Sequence, residues 1–327
     1  MDRLNALARP YGVVVLLAVV LGVIPAVLAA VGLGYPFRLA QLTMIFVILS
    51  ISLNLVSGVA GLLSLGHAAF YGVGAYTAAL LSTRFGTDLA VNLVASAVVA
   101  GAIGFLVAIP TIRLVRIFFA VATLSVGEII ILVITNWYDL TRGPMGVRDI
   151  PGFRVLGFDL GSPLQSYYVV AVVTLVCIWV VHRLSHSVYG NALRALREDD
   201  QAAGAMGLNV GMMKLVIFAI STALAGVAGA LLAHSTNFIS PDMFRLPESI
   251  LILTMVVVGG LGSLPGAVLG AIILIILPEL GRDFGQLRMV LVGLVLFLSI
   301  LLMPKGIIGE VAAFDLLRGK PSRPKAP

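Results

Sequence analysis

The chain has 327 residues, of which 60% are hydrophobic and 11% are charged, and its mean hydropathy is +1.11. Soluble proteins have about 25% charged residues, so the composition excludes a soluble globular domain and predicts an all-α polytopic membrane protein. The single cysteine, Cys177, lies in an apolar run, which excludes an intrachain disulfide. The net charge of +6 is interpreted as a positive cytoplasmic face and not as a nucleic-acid-binding surface.

Apolar runs recur along the chain, and a helix needs about 20 apolar residues to cross the hydrocarbon core of a bilayer. The first run is too long for the apolar part of a signal peptide, so it is assigned as a span. Residues 1–305 are therefore predicted to form one transmembrane domain, followed by a basic tail at 306–327. About ten spans are predicted, at 12–33, 39–57, 67–82, 89–109, 117–136, 166–182, 211–234, 248–262, 265–280 and 288–303.

The basic residues predict the orientation of these spans. Ten spans put both termini on one side, and placing them inside puts 13 of the 21 Lys and Arg residues there, including all four lysines. Cytoplasmic segments carry such an excess. We therefore expect both termini and the polar loop 183–210 in the cytoplasm. The outside segment 137–165 is expected to be a structured external loop, because plain connectors of this length are uncommon.

Two glycine-rich segments, 57–76 and 256–271, interrupt the apolar runs, and both contain the pattern G-x-x-S-L. Transporters are often built from repeated halves with broken helices near the midplane. The two segments are either equivalent elements of two repeats or a chance match in a chain rich in Gly and Leu. Broken or re-entrant helices are predicted in both segments, with the helix breaks at Gly61, Gly66, Gly260, Gly262 and Pro265.

A small set of polar residues within the spans is predicted to line a translocation pathway. Ser52, Asn54, Ser64 and His67 flank the first glycine-rich segment. Glu128 is the clear charge within a span, and such a charge costs about 2.5–3.5 kcal/mol on insertion scales, so it usually faces the bundle interior or water. It is either a pathway residue or a structural carboxylate bonded to a neighbouring helix. The scarcity of such groups counts against ion-driven transport.

The sequence contains no motif for catalysis by this chain. It has no G-x-x-x-x-G-K-[ST] loop to hold nucleotide phosphates, no H-E-x-x-H and no Cys/His cluster. We therefore expect a protein that is not an enzyme and that binds no metal, cofactor or nucleic acid itself. Energy from ATP would have to come from another polypeptide.

The loop 183–210 has the composition of a docking surface, with charged residues ahead of two alanines and a glycine. Adjacent alanines give a smooth helical face, and Gly207 can end the helix. Its pattern Q-A-A-x-x-x-G resembles the E-A-A-x-x-x-G loop by which ABC importer permeases dock onto their ATPase subunits, with Gln201 where that loop often has Glu. The residues assigned to this coupling loop are Arg194, Arg197, Glu198, Asp199, Gln201, Ala202, Ala203 and Gly207.

Over about residues 40 to 305, the chain resembles the permease subunits of branched-chain amino acid ABC importers, of the LivM type rather than the LivH type. The segments that carry the resemblance are 54–81, 118–129, 141–147, 192–210 and 256–271. It implies a BtuC-like importer half in the bacterial inner membrane, paired with a second permease subunit. It also implies two ATP-binding subunits that hold ATP and Mg²⁺, and an external solute-binding protein.

The predicted function is therefore that of a permease subunit of an ATP-driven importer for branched-chain amino acids. An importer half for urea, short amides or a sugar is the alternative within this class. An ion-driven secondary carrier is the alternative from another class.

Overall fold

The computed structural model describes residues 34–111, 116–155, 157–280, 293 and 306–307. The helices, numbered in chain order, are α1 Gly34–Asn54, α2 His67–Phe85, α3 Leu89–Thr111, α4 Arg116–Asn136, α5 Tyr138–Thr141, α6 Pro163–Ser185, α7 Val188–Glu198, α8 Asp200–Ala205, α9 Val210–Thr236, α10 Leu246–Gly259 and α11 Leu264–Leu280. The smaller elements are a π-helical turn at Leu55–Val59, 3-10 turns at Gly143–Met145 and Pro241–Phe244, and an antiparallel pair of two-residue strands, β1 Arg154–Val155 and β2 Phe158–Asp159.

Five helices within the described residues are long and apolar enough to cross a membrane, with 20 to 27 residues each. The chain is thus a mostly helical, multi-pass membrane protein. These helices are Pro36–Val59, Leu89–Thr111, Ile117–Asn136, Pro163–Ser185 and Val210–Thr236. The predicted span 12–33 lies outside the described residues, as does 288–303 apart from Gly293, and so does nearly all of the tail 306–327. The count of about ten spans stays a prediction.

The predicted span 248–262 corresponds to α10, which is short for one continuous crossing. Helix α10 has 14 residues and ends at Gly259, which at 1.5 Å per residue covers about 21 Å, less than the hydrocarbon core. The chain then turns and continues as α11, which packs against α10 and α1. Glycine at the end of α10 and the short break after it make this a broken helix pair.

The core of the bundle is formed by α9 with α1, α2 and α3. Small residues let these helices approach closely, as is common between helices in membranes: a side chain on Gly74 of α2 would overlap the backbone of Gly226 of α9. Aromatic side chains fill the space beside this contact. The ring of Phe218 meets those of Phe70 and Phe119 edge-on, with both centroid distances at 5.6 Å.

The outer walls of the bundle are apolar and exposed. Helix α3 exposes Val94, Val98 and Leu106, and α4 exposes Ile117 and Leu132. In α3 only 22% of the apolar stretch is buried inside the protein, whereas in α9 72% of it is buried. These faces suit contact with lipid chains or with another apolar subunit.

The two ends of the bundle carry different structures. One end, here called the loop end, consists of residues 137–162, because α6 begins at Pro163 and not after 165. The opposite end, here called the α7 end, consists of residues 186–209 with α7 and α8. Helix α9 joins the two ends, starting beside α8 and finishing beside the loop end.

Candidate functional site

Helix α1 breaks where the first glycine-rich segment predicts a break. The helix widens into the π-helical turn Leu55–Val59, and regular helix resumes only at His67. Gly61 has a φ of +73°, which glycine adopts far more easily than other residues. Gly66 directly precedes α2, and a side chain there would overlap the backbone of Thr123 in α4. The break is thus packed tightly against α4.

The second glycine-rich segment contains the break between α10 and α11. Gly260 and Gly262 both have positive φ, at +117° and +85°. Pro265 does not break a helix, contrary to the prediction. It lies in the first turn of α11, where its missing N–H group removes no helical hydrogen bond and its fixed φ suits the helix.

The two breaks are in direct contact. The Asn54 side chain accepts a hydrogen bond from the Gly262 N–H (2.8 Å) and donates one to the Ser263 carbonyl (3.2 Å). Ser50 Oγ donates to the carbonyl of Ala267 in α11 (2.8 Å). Segments about 200 residues apart in sequence therefore form one site. Whether they are equivalent repeats stays a prediction.

The polar residues assigned to a pathway are buried and hold helices together. Ser52 Oγ donates to the Leu49 carbonyl (2.8 Å), so the 2.7 Å contact between Ser52 Oγ and His67 Nε2 has the imidazole as donor. Ser221 of α9 donates to the Ser52 carbonyl (2.6 Å). At most 2% of Ser52, Asn54, Ser64 and His67 is exposed. In this conformation they do not line an open channel.

Ser64 differs from the other three residues of this set. Its hydroxyl is buried, yet it has no hydrogen-bond partner within the described residues. Buried polar groups without a partner are rare and costly, so Ser64 is the member of the set whose hydroxyl is available to another group.

Glu128 lies against the first break. It is half-buried and lines a cavity of about 10 Å³ together with Gly66 and Ser249. Within the described residues its carboxylate makes no hydrogen bond or ion pair, so a structural bond to a neighbouring helix is not found. A second carboxyl group, Glu248, lies half-buried in the first turn of α10. The sequence did not single it out, although an acid starting an apolar run is favoured by the helix dipole.

Helix α7 is docked on the bundle by its apolar face. Leu193 and Leu196 are fully buried, and the Tyr189 hydroxyl donates to the Met213 carbonyl (2.8 Å). The Asp200 carboxylate pairs with the buried Lys214 of α9. The α7 end is therefore attached to the start of α9 by a few side chains.

The predicted coupling residues divide into structural and exposed ones. The Asp199 carboxylate accepts hydrogen bonds from the N–H groups of Gln201 (2.8 Å) and Ala202 (3.1 Å), so it caps α8. Ala203 is 5% exposed and packs into the core, which corrects its assignment to the docking face. Gly207, with a φ of +86°, follows the end of α8 as predicted.

Exposed apolar side chains surround this helix end. Val188 is 87% exposed and Met206 is 85% exposed, and Gln201, Ala202 and Gly207 are exposed as well. Exposed apolar residues that form a contiguous patch mark sites of protein contact. We call these five residues the α7-end surface.

Two further coupling residues lie beside this surface. Arg194 Nη1 donates to Asn191 Oδ1 (3.0 Å) within α7, and Glu198 is exposed at the end of that helix. Arg197 instead turns toward the bundle, where its Nη1 donates to the carbonyl of Gly58 in the first break (2.7 Å). The α7 end and the glycine breaks are thus in direct contact.

A cavity of about 450 Å³ opens at the loop end, between α1, α6 and α9. Its polar lining includes Arg38, which is exposed, and Gln41, which accepts a hydrogen bond from Ser235 (2.8 Å). His234 Nδ1 donates to the Pro151 carbonyl (2.8 Å), which leaves Nε2 to accept from Asn92 (3.1 Å). Sequence reasoning missed this cavity, since its lining comes from segments nearly 200 residues apart.

Comparison with known proteins identifies the family. Residues 35–302 match the family described as branched-chain amino acid transport system / permease component. The high-affinity branched-chain amino acid transport permease protein LivM of Escherichia coli K12 is 35% identical over 293 residues, which are 83% of this chain and 69% of that protein. LivM of Salmonella typhimurium is 33% identical over 86% of this chain and 73% of its own length.

The high-affinity branched-chain amino acid transport system permease protein LivH of Salmonella typhimurium is less similar to this chain than the two LivM proteins are. It is 27% identical over 81% of this chain and 91% of its own length. No solved structure matches the chain. The predicted resemblance to LivM-type permeases is confirmed, and the chain belongs to the branched-chain amino acid transport permease family.

Proposed function

We propose that this chain is the transmembrane permease subunit of an ATP-driven importer that moves branched-chain amino acids across the bacterial inner membrane. The family match over residues 35–302 carries this proposal. The substrate class is supported by the printed names of relatives that are 33–35% identical. A zwitterionic substrate with an apolar side chain needs few charges along its path, which agrees with the scarcity of charge in the described helices.

The α7-end surface is the site for an ATP-binding subunit. Its exposed Val188 and Met206 supply apolar contact area, while Gln201 and Ala202 let a partner backbone approach. Two such subunits hold ATP and Mg²⁺, since this sequence has no phosphate-binding loop. The α7 end then faces the cytoplasm, together with both termini and the tail 306–327.

The remaining partners fit the other faces of the bundle. A second permease subunit forms a heterodimer through an apolar outer wall, and the loop end receives the external solute-binding protein. The domain 1–305 forms a BtuC-like half with about ten spans. Arg38, at the mouth of the loop-end cavity, attracts the substrate carboxylate as it leaves the binding protein.

Transport follows from switching between two arrangements of this bundle. The pathway residues beside the breaks are buried in the described conformation, so access requires the breaks to move. ATP binding on the partner subunits favours one arrangement over the other, and the permease releases substrate inward by this population shift. Substrate affinity resides mainly in the binding protein.

The test is uptake by the reconstituted complex in proteoliposomes. We expect ATP-dependent uptake of labelled leucine that requires the binding protein and all four membrane-associated subunits. Competition with unlabelled valine, urea, acetamide and glucose distinguishes the substrate classes. Uptake by this chain alone, driven by an ion gradient without ATP, would show that it is a secondary carrier.

A further inference from the structure

Arg197 joins the α7 end to the first helix break. It lies in the last turn of α7, and its Nη1 donates to the Gly58 carbonyl at 2.7 Å. Gly58 lies in the π-helical turn that ends α1. Carbonyl groups at a helix end lack intrahelical donors, and the helix dipole makes this end negative. A guanidinium group donates a charge-assisted hydrogen bond to such a carbonyl, and its positive charge is favoured at the negative helix end.

The first break is shaped around this arginine. A Cβ atom on Gly61 would lie 2.8 Å from Arg197 Cγ, so a larger residue at 61 would displace the arginine stem. Gly61 also has a positive φ, which turns the chain past the side chain. Arg197 thus contacts the break through both its stem and its charged head.

The contact continues into the second break without an intervening side chain. Gly58 packs directly against the backbone of Gly262. One turn earlier in α1, Asn54 bonds to Gly262 and Ser263. A shift of the Gly58 carbonyl therefore displaces both breaks together.

We propose that Arg197 transmits the movement of the ATP-binding subunits to the two helix breaks. The inference rests on the proposed function and adds the residue through which α7 acts. Arg197 is a positioning residue, since it is argued to touch neither the substrate nor ATP. Leu193 and Leu196 hold the apolar face of α7 on the bundle, so a tilt of α7 about these leucines must pull on the Gly58 carbonyl or break this hydrogen bond.

The test compares Arg197→Met with Arg84→Met in the complete reconstituted transporter. Arg84 is a matched control, because it also donates to backbone carbonyls, those of Asp139 (2.8 Å) and Leu140 (3.1 Å), but at the loop end. We expect the ratio of leucine transported to ATP hydrolysed to fall about tenfold or more in Arg197→Met, because the charged hydrogen bond to the Gly58 carbonyl is lost. We expect co-purification of the ATP-binding subunit to persist and Arg84→Met to keep the wild-type ratio. Arg197→Lys, which keeps a cationic donor, should recover part of it.

A second measurement reports the break directly. Leu63→Cys places a thiol in the first break at a position 38% exposed, in a background where Cys177→Ala removes the native thiol. We expect maleimide labelling of this thiol to change on addition of a non-hydrolysable ATP analogue, and Arg197→Met to abolish the change. This readout separates coupling from simple loss of folded protein, which would alter labelling without ATP.

The outcomes distinguish this proposal from the function on which it rests. If Arg197→Met keeps both the wild-type transport ratio and the ATP-dependent labelling change, Arg197 does not couple the two sites. Loss of the ATP-binding subunit from Arg197→Met would place the residue in the docking surface and also overturn the proposal. If the unmutated complex shows neither ATP-driven uptake nor ATP-dependent labelling, the proposed function itself fails.

Discussion

The loop end and the α7 end are attached to the bundle in different ways. The loop end pairs its backbone with the chain after α9: Val147 and Ile239 exchange two backbone hydrogen bonds, at 2.9 and 3.1 Å, and Asn237 donates to the Ile150 carbonyl at 2.8 Å. The α7 end is attached through the side chains of Tyr189, Arg197 and Asp200, together with buried leucines.

This difference indicates which end can move. Several backbone hydrogen bonds must break together to lift the loop end, whereas α7 and α8 form a rigid unit that pivots on a few side-chain contacts. Elements that move in a switching transition are drawn from parts of a protein with few buried contacts. The rigid end suits reception of a binding protein, and the movable end suits a response to ATP.

The largest expected effect separates the buried and exposed alanines of α8. Ala203→Glu places a carboxylate in the core and should lower the free energy of unfolding by about 2 kcal/mol or more, because an unpaired polar group is buried. Ala202→Glu, one residue earlier and exposed, should leave stability unchanged and weaken only the partner contact. Thermal unfolding in detergent checks both variants. Equal destabilisation would contradict the assigned orientation of α8.

An effect of similar size is expected from releasing the loop end. His234→Leu leaves the Pro151 carbonyl and the Asn92 side chain without their imidazole partner, which should cost about 1–3 kcal/mol for each buried group left unsatisfied. Proteolysis within 147–153 should accelerate in the folded protein. The matched control is His186→Leu at the α7 end, an exposed histidine, and a similar response from both variants would remove the contrast between the ends.

Docking at the α7-end surface should be lost without loss of stability. Met206→Glu puts a charge where an apolar side chain is 85% exposed. Residues that dominate an interface cost about 2 kcal/mol or more when truncated, so affinity for the ATP-binding subunit should fall about tenfold or more. Binding to the purified subunit measures this. Phe158→Glu is the control, because Phe158 is 74% exposed at the loop end. Unchanged affinity in Met206→Glu would remove this surface as the docking site.

The smallest effect is expected at the mouth of the loop-end cavity. Arg38→Gln removes an exposed charge, and exposed charge interactions are worth about 0.2–1 kcal/mol, so the apparent KM for uptake should rise by a factor of about 1.4 to 5 with little change in maximal rate. Arg245→Gln, which removes an exposed arginine outside the cavity lining, is the comparison. A KM that stays at the wild-type value would exclude Arg38 from attracting the substrate.

Several features of the site were predictable because they depend on local chemistry. Apolar runs predicted α3, α4, α6 and α9 to within a few residues at most ends, since a helix that crosses lipid must bond its own backbone. Gly61, Gly260 and Gly207 were located correctly, because a chain that turns with positive φ needs glycine. Pro265 was misassigned because proline suits the first turn of a helix as well as a break.

The orientation of polar side chains was not predictable to the same degree. Ser52 and His67 were selected as pathway residues because they are polar and lie near a break, yet they bond to each other in the interior. Ala202 and Ala203 are adjacent residues of the same type. Ala202 is exposed and Ala203 is buried because they lie on different sides of the helix relative to the bundle. The loop-end cavity and the contact between Arg197 and Gly58 join distant segments, so no local pattern marks them.

From the sequence alone it follows that this is a membrane protein of helices interrupted at two glycine-rich segments, with a polar loop at 183–210 and no phosphate-binding motif. Composition, periodicity and glycine placement act within a few residues along the chain, which is why they can be read without coordinates. Three features follow from the tertiary structure alone: the two breaks touch, Arg197 reaches the first of them, and the two ends are held differently. Those features depend on how rigid helices pack in three dimensions, because close contacts at Gly58, Gly66 and Gly74 fix which distant side chains can meet.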